Sequence, residues 1–180
     1  MKPKLEIITL DDVRSWRPCD PVESFTFVPP DWKGTVFDIL DCEQLSASDR
    51  IWLVLRDEVM ELRDIQMFAF RCAKRVEHLM QYQRSKDALV ILERFLGGKA
   101  THKELESARI AATAAVGATS WAVARAASMA AIMAVDMALT KYATIFTAKY
   151  AAMYAAEAAV EATESAAQIQ LLKEILTDGN

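Results

Sequence analysis

The sequence predicts an all-α protein, a bundle of stacked antiparallel helices behind an irregular N-terminal arm, and three observations carry that reading. All five prolines (Pro3, Pro18, Pro21, Pro29 and Pro30) lie within the first thirty residues, so no later helix loses a backbone donor to proline. Alanine, the strongest helix former, is concentrated at the other end, with 4 in residues 1–99 and 26 in residues 100–180. Between these ends, apolar residues recur at spacings of three and four, the period of a helix with one buried face. The chain therefore divides into an arm with short helices over 1–45 and a helical domain over 46–180. Within that domain, 46–100 reads as mixed amphipathic helices and 101–176 as alanine-rich ones.

Each element has a local cause. Thr9 with Asp12 caps a helix near 10–16, which Pro18 stops. Phe25-Thr26-Phe27-Val28 suits a short strand or a coil laying aromatics on the bundle; the coil is preferred because no partner strand is evident. Thr35 with Asp38 opens a helix to about Cys42, and Ser46 to Asp49 opens another carrying Ile51, Trp52, Leu55 and Val59. Leu62, Ile65, Ala69, Cys72, Val76 and Leu79 form a buried stripe on a helix near 61–81. Ser85 begins a helix that Gly97-Gly98 ends, since glycine supplies the positive φ of a helix stop. Thr101 and Glu104 form a capping box for the next helix.

Beyond Thr101 one helix reaching Leu176 would far exceed the usual length of about 10–14 residues. The chain must fold back, with Gly117 to Ser120 and Leu139 to Lys141 as the predicted breaks and a last helix over 142–176. Alanine loses no side-chain entropy and lets helix axes approach to the short end of about 8–10 Å. Trp121, Ile132, Met133, Ile145, Phe146, Met153 and Tyr154 supply larger anchors at intervals.

Charge is distributed unevenly. Residues 1–60 hold 7 Lys/Arg against 12 Asp/Glu, residues 61–100 hold 8 against 5, and residues 101–180 hold 6 against 8, giving the overall −4. A mildly acidic chain without a dense basic face argues against direct nucleic-acid binding through phosphates. The acidic front faces either solvent or a basic partner surface. Cys19, Cys42 and Cys72 are odd in number and lack a C-x-x-C pair, which suits reduced thiols in a cytoplasm. The N-terminus leaves no room for a signal-peptide core before Asp11 and Asp12. The most apolar run, 126–135, is half the length of about 20 residues that a membrane span needs.

No phosphate loop, dinucleotide fingerprint, nucleophile elbow or H-E-x-x-H occurs, and the two histidines, His78 and His102, have no spaced partners. No catalytic, cofactor or metal residue is expected. Glu157, Glu161 and Glu164 would share one helix face, but a carboxylate metal site in a bundle also needs an E-x-x-H partner, so a solvated stripe is the reading.

The segments Met67 to Ala73 and Ala88 to Arg109, with the Gly97-Gly98-Lys99-Ala100-Thr101 turn followed by Glu104-Leu105, resemble the alanine-rich immunity proteins of bacteria and their phages. The tail from Gln170 to Leu176 is similar too, so the likeness spans about residues 50–176. It implies a small helical protein that neutralises another protein, a toxin or a defence effector, by binding it. Self-association through the alanine faces into a homo-oligomer is the alternative. Residues on the acidic arm (Asp11, Asp12, Trp16, Asp20, Glu23, Phe25, Phe27 and Trp32) and the basic Arg71, Lys74 and Arg75 are the candidate protein contacts. Aromatics beside charge suit an interface anchor, although an arm that merely covers the bundle uses the same residues.

Overall fold

The computed structural model describes residues 3–16, 28–117, 122–139, 145–159 and 161–177. Among them the fold is an all-α bundle with nine helices and one two-stranded pairing in a short irregular N-terminal segment.

That segment is held by local hydrogen bonds. Strand β1 (Ile8–Thr9) pairs antiparallel with β2 (Lys33–Gly34), an element the sequence did not suggest because each strand is only two residues long. Gly34 is required there: a Cβ would lie 2.5 Å from the Trp32 ring. Helices α1 (Leu10–Ser15) and α2 (Val36–Leu40) both begin at full capping boxes, Thr9 with Asp12 and Thr35 with Asp38. Ser46 caps α3 (Ala47–Val54) through the Asp49 amide. Such caps stabilise each helix by about 1 kcal/mol, which matters most where a helix is too short to be stable alone.

Helix α4 (Leu62–Arg75) ends earlier than the spacing predicts, and a 3₁₀ turn over Glu77–Leu79 follows. Its buried face is wider than one stripe, with Phe68, Phe70 and Ala73 buried beside Ile65, Ala69 and Cys72. Helix α5 (Gln83–Leu96) starts two residues before Ser85, so Ser85 is a buried first-turn residue and not the cap. Gly98 has φ 69°, and its amide and that of Lys99 bond back to the carbonyls of Phe95 and Arg94. After that stop, Thr101 and Glu104 exchange the expected capping bonds at the start of α6 (His102–Gly117).

The next elements are α7 (Ala122–Leu139), α8 (Ile145–Ala158) and α9 (Glu161–Thr177). Helix α6 ends at Gly117 and α7 at Leu139, and the rest of the two expected breaks, 118–120 and 140–141, lies outside the described residues. The single helix expected over 142–176 is instead two. No glycine, proline or capping motif in the sequence marks the junction between them, where Ala159 is a bend. The split lets α9 pack on α2, α3, α4 and α8.

Helix α7 is the centre of the bundle, in contact with α4, α5, α6 and α8. Ala127, Ala130, Ala131 and Ala134 on it are completely buried. Polar contacts fix its register: His102 Nε2 meets the Leu139 carbonyl at 3.3 Å and Arg109 lies 3.6 Å from Asp136, so α6 and α7 run antiparallel. Gln66 of α4 donates to the Met137 carbonyl. Among the described residues no helix is long and apolar enough to cross a membrane.

Candidate interaction surface

The candidate contacts on the arm separate into packed aromatics and free carboxylates. Asp20, Glu23, Phe25 and Phe27 lie outside the described residues. Trp16 and Trp32 are half-buried and packed against the core. Trp16 closes one side of a cage around Arg56, whose guanidinium carbon lies 4.9 Å from the Trp16 ring and 4.4 Å from the Trp52 ring. Arg56 Nη2 also donates to the Trp16 carbonyl at 3.2 Å, fastening α1 to the end of α3. Burial pulls the Arg56 pKa down, because desolvation disfavours its charge.

Asp12 is occupied by its capping box, and the Thr9 hydroxyl and amide hold its carboxyl below the usual range. Asp38 is held down in the same way, by the Thr35 amide first and its hydroxyl second. Asp11 is different: its side chain is 91% exposed and makes only a 3.5 Å contact with Arg14. Asp31, Glu43 and Asp57 are exposed as well, and so is the apolar Ile7. Two basic residues of this layer are turned inward, Arg56 into its cage and Arg50 to the Leu40 carbonyl. Lys4, Arg14 and Lys33 remain exposed, so the solvent-facing charge of this layer is net acidic, as the sequence count implies.

The basic cluster on α4 is partly neutralised within the chain. Lys74 pairs with Glu77 at 2.8 Å, Arg71 is half-buried, and Arg75 Nε sits 2.9 and 3.1 Å from the two carboxylate oxygens of Glu164. Helix α4 packs on α5, α7, α8 and α9, while in the arm α1 packs on β1 and α2 reaches α9 as well.

Glu164 corrects the reading of an acidic stripe. Glu157 ends α8 while Glu161 and Glu164 begin α9, so the three do not share one helix, and Glu164 is 5% exposed. Its bonds to Arg75 raise the guanidinium pKa further. Gln168, one turn on and 2% exposed, donates from Nε2 to the Ala152 carbonyl at 2.9 Å, with Glu164 Oε1 at 3.5 Å. A polar chain thus runs from α4 through α9 to α8. Cys72 lies beside it, completely buried, and burial pushes its thiol well up, away from the reactive thiolate. Among the described residues no group of three or more His, Cys, Asp and Glu side chains could hold a metal ion.

Above this chain an open cleft of about 330 Å³ lies between α3, α8 and α9. Ile51, Ala152 and Ala156 form its apolar part, and Lys149 and Glu157 stand on α8 along it. Sequence reasoning did not find the cleft or the Arg75–Glu164–Gln168 chain. The available signal was Glu164 and Gln168, four apart in a run otherwise built largely of alanine, a spacing that puts two polar groups on one helix face. No protein-family model, curated protein or solved structure matches the chain.

Proposed function

We propose that this chain is a non-enzymatic, cytoplasmic binding protein of the immunity type, which captures and neutralises a protein effector, a toxin or a host defence complex. The observation that supports it is the excess of exposed carboxylates over exposed cations in the N-terminal layer. Asp11, Asp31, Glu43 and Asp57 are exposed there while Arg50 and Arg56 are turned inward. Such a face steers a basic partner and sets specificity against acidic ones. The exposed Ile7 adds an apolar point to it. The layer is preorganised by three capped helices and the Arg56 cage, so little ordering entropy is lost on binding. The resemblance of residues 50–176 to alanine-rich immunity proteins agrees with this reading.

The test is affinity capture with the tagged chain, followed by assay of the captured protein alone and with added chain. A basic protein held at fixed stoichiometry and inhibited by the chain is the expected result. Asp11→Lys and Asp31→Lys together should release it without changing the melting temperature. Retention by that double variant would remove the acidic face from the interface.

A second reading, homo-oligomeric assembly through alanine-rich helices, is favoured by one feature. Ile110 on α6 is 58% exposed, with Ser107 and Ala114 exposed beside it along the helix. A sedimentation coefficient that rises with concentration and falls on Ile110→Asp would favour assembly.

A further inference from the structure

We draw no further inference here: the strongest candidate, the cleft between α3, α8 and α9, is bounded by the solvent-accessible Lys149 and Glu157 over the small Ala152 and Ala156, and nothing in the structure shows what covers it.

Discussion

Replacing Arg75 with alanine should destabilise the bundle by about 2 kcal/mol, and the structure sets that size. The Glu164 side chain is 6% exposed and Arg75 45% exposed, with Arg75 Nε contacting both carboxylate oxygens. Removing the partner of a fully buried charge costs about 3–5 kcal/mol, whereas a surface pair contributes about 0–1 kcal/mol. Arg75→Ala lies between these limits: among the described residues Glu164 keeps the 3.5 Å contact with Gln168, and water can enter where the half-exposed guanidinium was. Glu164→Gln retains an acceptor and should cost less, about 1 kcal/mol. The two changes should not be additive, with a coupling of about 1 kcal/mol in a double-mutant cycle. Urea unfolding followed by circular dichroism reads these differences, and an m-value of about 2 kcal/mol/M puts the Arg75→Ala midpoint roughly 1 M lower. An unshifted Arg75→Ala midpoint, or simple additivity in the cycle, would show that the chain from α4 to α8 holds nothing together.

Three further outcomes follow from the packing and the caps. Ala112 is completely buried and Ala114 exposed on the same helix, so Ala112→Leu should cost about 1–3 kcal/mol by overpacking while Ala114→Leu stays near neutral; equal effects in urea unfolding would contradict the α6 packing. Thr101→Ala removes the side-chain acceptor for the Glu104 amide and should cost about 0.5–2 kcal/mol, read as a lower urea midpoint; an unchanged midpoint would show that this cap is idle. Acid should weaken the N-terminal layer: Asp12 and Asp38 have folded pKa values below the ordinary Asp value of about 3.9. Their contribution is complete above that value and is lost as pH falls through the depressed ones. Thr9→Ala with Thr35→Ala should therefore flatten the fall in melting temperature between about pH 5 and pH 2. The comparison with wild type isolates this from Asp64 and Asp136, which burial raises and which act in the opposite sense. An equal slope in both proteins would refute it.

The helices that were legible in the sequence were those with local causes. Thr9/Asp12, Thr35/Asp38 and Thr101/Glu104 start helices where their side chains satisfy backbone amides, and Gly98 stops one where φ turns positive. What was not legible depends on residues far apart in the chain. The split between α8 and α9 has no local signal in the sequence, since alanine favours helix on both sides, and α9 makes its contacts with segments far away in the chain. Arg75 meets Glu164 across 89 positions, so a carboxylate that read as part of a solvated stripe is buried, and Arg56 meets Trp16 across 40. The same distance hid the cleft, whose walls come from α3, α8 and α9.

The central claim is that the chain acts by stoichiometric binding, and titration of the captured effector's activity tests it most directly. Added chain should reduce that activity linearly to zero at a fixed molar ratio. Raised salt should restore it, because an acidic face holds a basic partner through screened charge. Complete inactivation by a small fraction of an equivalent would instead reveal an enzyme, and undiminished activity with excess chain would show that the protein it captures is not one it neutralises.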